Sequence, residues 1–539
     1  MYVATVPNRT SSPAILLRES YRAGGKVKTR TLANLTPWPA PRIAALKRCL
    51  CGAFDGRREE RAPVSDRIFA VLFVLKELAQ RLGIVPALGQ TRLAKLALFL
   101  VVARVAHQGS RLSAVRWAQE HAVAEVLGLS AFDEDDLYTA LDWLATHQKT
   151  IERALYRAYL KRAGQPPVLV LYDVTSSYFE GDKNELAAYG YNRDGKKGKK
   201  QIVVGLLTAP EGEPLAVRVF TGNTADPSTV ADQIAIVKTE FKIKEVVVVG
   251  DRGMIKFTGK TALTAEGLRY ITALTDPQVR TLLKKGVLQL HLFDETAQEV
   301  EHGDRRLILR RNEAVRQKAV ARRQDKLAKL HRLVAERNAF VQDAKRAQPE
   351  AGLRKLTAWA KAHKLLAFVT LDLDDTQLTV AIDAAAQANA ALLDGCYVVE
   401  TDVAKEKMDA TTVDARYRDL QKVERDFRMM KTGLLEMRPI FVRKATRTRG
   451  HVFAAMLALK VAREGERGLK AAWGTTEHST QALPLDEALG ALARLCFQRH
   501  EIEGQAFLQI PRPDARQVAI FTALGVSPPH TTRRHPARM

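Results

Sequence analysis

Two strongly apolar segments of the chain each run into an aspartate. One is VLVLYD (168–173) and the other is VVVVGD (246–251). Apolar runs without alternation are typical of strands that are buried on both faces of a sheet. A carboxylate is costly to desolvate there unless it is paired, binds a metal or lies at an open sheet edge, where ligands usually bind. The two segments therefore predict a covered sheet with Asp173 and Asp251 at its edge.

The segments around these strands predict the rest of the sheet. Residues 226–241 begin with Asp and Pro and carry apolar residues at helical spacing, which predicts a helix. Further predicted strands are QIVVGLL (201–207), PLAVRVF (214–220), LRYITAL (268–274) and DGCYVVETD (394–402). This order predicts a mixed α/β sheet with helices packed on it.

Two more features outside the sheet are recognisable. Residues 14–35 predict a hairpin that turns at Gly24 and Gly25. Residues 311–346 predict a long charged helix, in which Val320, Leu327, Val334 and Val341 recur every seven residues and indicate packing against a helix in 352–366. The basic face of the long helix is either solvated or in contact with DNA.

The charge of the chain restricts its partners. The 539 residues include 84 lysines and arginines against 60 aspartates and glutamates, a net charge of +24. Such an excess favours a polyanion, most commonly nucleic acid. No apolar run reaches the length of about 20 residues that a membrane span needs, and the N-terminus lacks the apolar core of a signal peptide. With only four cysteines in the chain, we expect a soluble protein of the reducing cytoplasm without a membrane partner.

The two aspartates suggest a metal site. If their strands are neighbours, the carboxylates of Asp173 and Asp251 converge and repel each other, and a hard divalent cation is the simplest way to relieve that repulsion. The alternative is that each aspartate is only a helix cap or a turn residue.

A third acid lies on a predicted helix over 414–431. On a helical wheel, Glu424 falls within a stripe of about 80° that also holds Tyr417, Leu420, Phe427 and Lys431. The stripe is partly apolar and is predicted to face inward. An acid on such a stripe either helps to bind a metal or forms a buried ion pair with an arginine.

These three acids, in their local contexts, resemble the DDE triad of bacterial insertion-sequence transposases. The contexts are VLVLYDVTS around Asp173, VVVVGDRGM around Asp251 and YRDLQKVERDFRMMK around Glu424, supported by FTGNTAD (220–226) and MRPIFVR (437–443).

The resemblance extends over about residues 166–460 and points to one group of these transposases. The signature of that group is tyrosine, two residues, arginine, three residues, glutamate, six residues, lysine. Tyr417, Glu424 and Lys431 match it, whereas Leu420 stands at the arginine position and Arg428, on the same face, is the candidate replacement.

The resemblance implies a fold and a division into domains. The fold class is α/β: a ribonuclease H-like mixed sheet with flanking helices, a helical N-terminal domain and a large insertion before the helix of Glu424. The expected domains are a basic DNA-binding hairpin and linker (1–65), a helical domain (66–165), the first half of the core (166–275), a charged, largely helical insertion (276–390), the second half of the core (391–480) and a C-terminal tail (481–539).

The resemblance also implies a chemistry. Asp173, Asp251 and Glu424 would hold two Mg²⁺ ions about 3.5–4 Å apart, with Mn²⁺ as a possible substitute. The enzyme would bind the terminal repeats of its insertion sequence, hydrolyse the phosphodiester at each end and join the freed 3′-hydroxyl to target DNA. It would act as a homodimer on double-stranded DNA, near the bacterial nucleoid, and would need no nucleotide cofactor.

Several residues are predicted to contact the DNA. Tyr417, Lys431 and Arg428 would contact the terminal phosphates. The run GKKGKK (195–200) would contact the DNA backbone through Lys196, Lys197, Lys199 and Lys200, unless it is a plain solvated turn. Trp359 could stack on a flipped base, although packing in a core is the simpler explanation.

Two alternatives remain. The chain could be a DNA-binding remnant of a transposase that has lost its catalysis. It could also be another metal-dependent hydrolase, such as a phosphatase; that class would normally have a second aspartate two residues after the first, where this chain has Thr175.

Overall fold

The structure of the chain is a computed structural model. It describes residues 1–8, 12–52, 65–181, 183–196, 198–252, 254–343, 348–431, 435–438, 442–474, 483–502, 505–528 and 533–534. The chain divides into two compact units. One comprises Met1–Ser65, Gln498–Gln509 and Thr532–Met539, and the other comprises Asp66–Phe497 and Ile510–Thr531.

The first unit begins with a small antiparallel sheet. Its strands β1 (Tyr2–Val6), β2 (Ala14–Ala23) and β3 (Lys26–Asn34) lie in the order β1-β2-β3, and helix α1 (Ala40–Leu50) follows. Strands β2 and β3 turn at Gly24 and Gly25, whose φ angles of 60° and 75° suit glycine. The hairpin predicted over 14–35 is confirmed.

A helical region opens the second unit. Its elements are β4 (Ser65–Ile68), α2 (Ala70–Arg81), α3 (Ile84–Leu88), α4 (Arg92–Ala106), α5 (Arg111–Gln119), α6 (Val123–Leu127) and α7 (Glu134–Ala163). The boundaries of α7 follow from local sequence. Asp133 accepts a hydrogen bond from the Asp136 backbone N–H and caps the start of the helix, and Gly164 at φ 78° ends it.

The strands and helices that build the large sheet follow. They are β5 (Leu169–Tyr178), β6 (Gln201–Thr208), β7 (Pro214–Thr221), α8 (Val230–Ala235), β8 (Val247–Gly250), α9 (Phe257–Ala265), β9 (Arg269–Ala273), α10 (Asp276–Lys284), β10 (Gln298–His302) and β11 (Arg305–Arg311). The predicted helix over 226–241 is divided into a 3₁₀ turn, α8 and a π-helical turn.

The chain then leaves the sheet and returns to it. The next elements are α11 (Glu313–Asp343), α12 (Pro349–Ala362), β12 (Val369–Asp374), β13 (Gln377–Ile382), α13 (Ala384–Ala391), β14 (Cys396–Thr401), α14 (Ala410–Arg418), α15 (Leu420–Lys431), α16 (Ala445–Trp473) and α17 (Leu485–Leu492). The last elements in chain order are β15 (Cys496–Ile502), β16 (Gln505–Gln509), α18 (Ala515–Ala523) and β17 (Arg533–Arg534).

An eight-stranded mixed sheet organises the second unit within the described residues. Its order is β10-β11-β14-β9-β8-β5-β6-β7. The pairs β5–β8 and β8–β9 are parallel, and the other neighbouring pairs are antiparallel. The predicted mixed α/β sheet is thus confirmed.

Hydrophobic clusters cover both faces of this sheet. Along β5, Leu169 and Leu171 belong to one cluster, whereas Val170 and Tyr172 belong to another. The first cluster includes the middle of α16, whose residues 452–462 are almost entirely apolar and buried. Burial on both faces explains why the strand sequences are continuously apolar rather than alternating.

The range predicted as an insertion is less separate than the sequence indicates. Strands β10 and β11 lie within 276–390, yet they extend the large sheet next to β14. The remainder contains α11 and α12, which pack with β12 and β13 around Leu330, Val334 and Leu356. In the described ranges, no helix is both long enough and apolar enough to cross a membrane.

Candidate active site

The two aspartates lie side by side on neighbouring strands. Strands β5 and β8 pair in parallel, and the last pair in their register joins Tyr172 to Gly250. Asp173 is the next residue of β5, and Asp251 directly follows the end of β8. The parallel register therefore brings the two carboxylates to the same edge of the β5–β8 pair, as expected if their strands are neighbours.

Asp173 does not end its strand. Strand β5 continues to Tyr178 and pairs with β6, and Asp173 itself is opposite Leu206. The prediction that the strand ends on Asp173 was wrong because VTSSY, the segment after it, is a good strand former and has a partner in β6 after β8 has ended. Asp173 is thus held within a sheet, whereas Asp251 lies on an exposed turn.

Glu424 approaches the aspartates from a helix. The predicted single helix over 414–431 is two helices, α14 and α15, which meet at Asp419. Leu420 and Phe427 are buried as predicted, but Glu424 is exposed. The inward position predicted for Glu424 was wrong, because the buried face of α15 is formed by Leu420, Val423, Phe427 and Met430 and Glu424 lies beside it.

The three acids line one cavity of about 480 Å³. Its other walls come from Tyr417 on α14, from Asn312 before α11 and from Gly395 and Tyr397 around β14. Part of the wall thus belongs to the range predicted as an insertion. The cavity is acidic, because its lining includes Asp173, Asp251, Asp276 and Glu424 against Arg252 and Arg418.

The electrostatics of Asp173 reflect this crowding. Burial, together with the charges of Asp251 and Glu424, raises the pKa of its carboxyl from 3.8 to about 7. The backbone N–H of Val174, which donates a hydrogen bond of 2.8 Å to Oδ1, and the guanidinium of Arg193 oppose that rise in pKa. A nearby cation would favour the ionised form.

Tyr417 contacts the site directly. Its hydroxyl donates a hydrogen bond of 3.2 Å to Oδ1 of Asp251. Burial, together with the charges of Asp251 and Glu424, raises the pKa of Tyr417 well above its ordinary value, so the phenol stays protonated and remains a donor. Tyr417, which the sequence predicted to contact a DNA phosphate, therefore lies directly beside the carboxylate of Asp251.

The two other predicted contacts from α15 lie outside the cavity. Lys431 forms an ion pair of 2.7 Å with Asp194 and is mostly buried. Arg428 is exposed and does not line the cavity wall.

Arg252 and Arg418 do line the cavity, and sequence reasoning missed both. Each directly follows a predicted site residue, Asp251 and Tyr417 respectively, which was the available signal.

The basic run lies on the long connection between β5 and β6. Lys196 is exposed with its Nζ 5.9 Å from the ring centre of Tyr178, Lys199 forms an ion pair of 3.3 Å with Glu180, and the Nζ of Lys200 is 5.9 Å from the ring centre of Tyr189. Lys197 lies outside the described residues.

The residues fit a divalent cation in their chemistry. Carboxylate oxygens are the ligands that Mg²⁺ and Ca²⁺ prefer. The cavity arginines are paired with other acids, Arg252 with Asp276 and Arg418 with Asp414. Across the described ranges, however, no three His, Cys, Asp or Glu side chains are grouped closely enough to hold one metal ion. The three carboxylates surround a cavity rather than a single point.

Comparison with known families assigns the chain. A family model described as "Transposase DDE domain" matches residues 164–460, more than half of the chain, and one described as "IS1634 family transposase, N-terminal domain" matches residues 3–64. No curated protein sequence matches significantly. Among solved structures, a piggyBac transposase synaptic complex with hairpin DNA aligns at 9% identity and a TM-score of 0.35, over 79% of this chain and 78% of that one. The chain belongs to the DDE transposases of insertion sequences.

Proposed function

We propose that this transposase binds the terminal repeats of its insertion sequence, cleaves them by metal-dependent phosphodiester hydrolysis and joins the 3′-hydroxyl ends to target DNA. Asp173, Asp251 and Glu424 are its catalytic residues. The observation that carries the proposal is the parallel register of β5 and β8, which brings Asp173 beside Asp251 in the same cavity as Glu424.

Asp173, Asp251 and Glu424 would hold two Mg²⁺ ions, for which Mn²⁺ could substitute. When bound, such ions supply activation of the attacking water or 3′-hydroxyl and stabilise the leaving oxygen. The raised pKa of Asp173 supports this assignment, because a carboxyl that is buried next to two other acids gains most from a cation.

Other residues would position the DNA. The hydroxyl of Tyr417 holds the Asp251 carboxylate in place through its hydrogen bond. Arg252 and Arg418 lie at the cavity wall, where each could contact a phosphate of the scissile strand. Lys431 would not enter the cavity; through its ion pair with Asp194 it would hold the connection that carries the basic run. The remaining predicted contacts would bind the DNA backbone outside the cavity: Arg428, Lys196, Lys197, Lys199 and Lys200.

We also propose the ribonuclease H-like fold for the core and the domain division that the sequence predicts. The antiparallel strands β7, β6 and β5 followed by the parallel strands β8 and β9, with helices on both faces, support that fold. The exposed strand β3, with Lys26, Lys28 and Arg30, supports a role of residues 1–65 in binding DNA. The enzyme would act in the cytoplasm as a homodimer on paired ends, without a nucleotide cofactor.

Cleavage of the element ends tests the proposal. The inverted repeats that flank the coding sequence are labelled at one end and incubated with purified protein in Mg²⁺, Mn²⁺ or Ca²⁺. We expect nicking at the repeat boundary in Mg²⁺ that Asp251→Asn abolishes. Asp402→Asn is the matched control, because Asp402 does not line the cavity and its Oδ1 accepts a hydrogen bond from the backbone N–H of Tyr270 on β9.

Two outcomes would contradict the proposal in different ways. Specific binding without nicking in any of the metals would leave a DNA-binding remnant. Nicking that survives Asp251→Asn would remove these carboxylates from the catalytic site.

A further inference from the structure

The connection between β5 and β6 carries an unusual pair of tyrosines. Among the large apolar side chains of the described residues, Tyr191 is the most exposed, at 81%, and Tyr189 is exposed at 66%. Aromatic rings are enriched at binding interfaces, and two such rings in one short segment need an explanation.

The backbone beneath these tyrosines is held by hydrogen bonds and close packing. The side chain of Gln201 donates hydrogen bonds to the carbonyl of Tyr191, at 3.0 Å, and to that of Gly222, at 2.8 Å. Gly190, between the tyrosines, packs so closely that a Cβ there would lie 2.2 Å from the carbonyl oxygen of Gly222. The exposure of the rings is thus imposed by fixed contacts of the main chain.

Each ring lies near a cation. Arg193 has its Cζ 5.6 Å from the ring centre of Tyr191, and the Nζ of Lys200 is 5.9 Å from that of Tyr189. Lys196 and Lys199 are exposed on the same connection. A surface that offers flat rings among basic side chains matches a ligand with flat bases and phosphates.

The same connection is attached to the active site. The backbone N–H of Arg193 donates a hydrogen bond of 2.9 Å to the hydroxyl of Ser176 on β5, three residues from Asp173. Asp194 accepts hydrogen bonds from Lys431 of α15, at 2.7 Å, and from the backbone of Tyr178, at 3.2 Å. The guanidinium of Arg193 is also close enough to Asp173 to lower the pKa of its carboxyl.

We propose that Tyr189 and Tyr191 stack on unpaired nucleobases of a DNA strand that leads to the carboxylate cavity. Lys196 and Lys199 contact the phosphates of the same strand. The bases must be unpaired, because in a duplex their faces are already covered by neighbouring bases. This inference rests on the proposed function in one respect, namely that DNA is the substrate of the cavity.

Binding by the full-length protein in EDTA tests the inference without catalysis. Fluorescence anisotropy compares a single-stranded 20-mer with a 20-base-pair duplex. For the double variant Tyr189→Ala/Tyr191→Ala we expect a Kd for the single strand that is weaker by about tenfold or more, since the stacking of two bases is lost. The Kd for the duplex should change by less than about twofold.

Two further variants test whether the aromatic rings of Tyr189 and Tyr191, rather than their hydroxyl groups or the loss of any exposed ring, account for the change in Kd. Tyr189→Phe/Tyr191→Phe keeps the rings and should bind the single strand within about threefold of the wild type. Phe340→Ala is the matched control: Phe340 is 51% exposed with the Cζ of Arg337 4.8 Å from its ring centre, but it lies on α11. It should leave both Kd values unchanged.

A 2-aminopurine in the single strand reports stacking directly. Its fluorescence should fall on binding to the wild type and to the Phe variant, and should stay high with the Ala variant. An Ala variant that binds the single strand as tightly as the wild type would overturn the inference. So would an equal loss for strand and duplex, which would make the tyrosines supports of the loop, or a change of oligomeric state without a change in DNA binding, which would make them a protein interface.

The outcomes are independent of the end-cleavage experiment. Quenching without nicking would refute catalysis and leave the stacking surface in place. Nicking with unchanged single-strand binding by the Ala variant would refute the stacking surface alone.

Discussion

At the scale of single residues, Asp173 carries the main electrostatic strain of the site. Burial and the neighbouring acids raise the pKa of its carboxyl to about 7. The folded state therefore holds its proton more tightly than the unfolded chain, where an aspartate has a pKa of about 3.9. By linkage, this contribution to stability is fully present below pH about 4 and is lost as the pH rises through about 7.

We expect Asp173→Asn to stabilise the metal-free protein in a pH-dependent way. At pH 8 the free energy of unfolding should increase by about 2 kcal/mol, a figure reduced from the full pKa difference because the carboxyl is partly solvated. The gain should shrink toward pH 4. Urea unfolding in EDTA at several pH values measures it.

The control for this experiment is Asp276→Asn, an exposed acid of the same cavity. It should change the free energy of unfolding at pH 8 by less than about 1 kcal/mol, because an exposed ion pair contributes little to stability. A gain from Asp173→Asn that is as large at pH 4 as at pH 8 would show that the carboxyl is not strained in the folded state.

Tyr417 acts on the other aspartate. Tyr417→Phe removes the hydrogen bond to Asp251 while keeping the ring, and a bond to a charged group contributes about 1.5–3 kcal/mol. We expect the rate of end nicking to fall by about tenfold while DNA affinity changes little. The control is Tyr397→Phe, which removes another hydroxyl of the same cavity, one that donates a hydrogen bond to Asp414. It should slow nicking less than Tyr417→Phe does. Equal losses of nicking rate in the two variants would argue against a specific role of Tyr417.

At the scale of secondary structure, buried ion pairs connect the elements behind the site. Lys460 on α16 is buried and forms an ion pair of 2.5 Å with Glu213, just before β7. Arg162, near the end of α7, pairs with the same carboxylate at 2.6 Å. One acid thus holds two helices against the edge of the large sheet.

Glu213→Gln should therefore destabilise the fold strongly. It leaves a buried lysine without a counter-charge, and breaking a buried pair in this way costs about 3–5 kcal/mol. Thermal and urea unfolding measure the loss. The control is Glu211→Gln, at an exposed acid two residues away, which should lower the free energy of unfolding by less than about 1 kcal/mol. If both variants lost the same free energy, the ion pairs of Glu213 with Lys460 and Arg162 would not be what stabilises this region.

In the helical pair α11–α12, the heptad periodicity predicted the partner helix but not all of the residues that pack. The heptad of Val320, Leu327, Val334 and Val341 correctly indicated packing near 352–366. The most buried contacts, however, come from Leu330 and Val334, because β12 and β13 also cover this part of the helix. Trp359 packs against the same cluster and stacks on His363, with ring centres 3.9 Å apart, which accounts for it without a flipped base.

At the scale of the whole molecule, the net charge of +24 favours association with a polyanion such as DNA. Each phosphate that a basic residue neutralises makes the slope of log K against log salt more negative by about 0.9. For Lys196→Ala/Lys199→Ala we expect a salt slope that is shallower by about 2, with duplex DNA titrated between about 50 and 200 mM salt.

The control for the salt experiment removes the same charge elsewhere. Lys405→Ala/Lys407→Ala takes two exposed lysines from the connection between β14 and α14. The same shallowing of the slope in both variants would mean that the effect is one of total charge and that the β5–β6 connection does not contact the phosphates.

Much of the candidate site could be predicted because its parts have local causes. Continuous valines and leucines specify buried strands, and the amphipathic pattern after Asp409, which caps α14 through the backbone N–H of Thr412, specifies helices. The acids at 173, 251 and 424 could be singled out because a carboxylate next to such apolar segments is costly. The exposure of Glu424 could not be predicted, since the buried face of α15 depends on the elements that pack on it, and Glu424 lies beside the residues that meet the core.

The sequence by itself determined most strands of the large sheet, the excess of positive charge and the choice of the three acids as candidate site residues, because these depend on neighbouring residues and on composition. Only the tertiary structure decided that β5 and β8 are parallel neighbours, that β5 continues past Asp173, that β10 and β11 join the large sheet, and that Tyr189 and Tyr191 are held in solvent near Arg193 and Lys200. Each of these depends on contacts between residues far apart in the chain, whose partners no local pattern encodes.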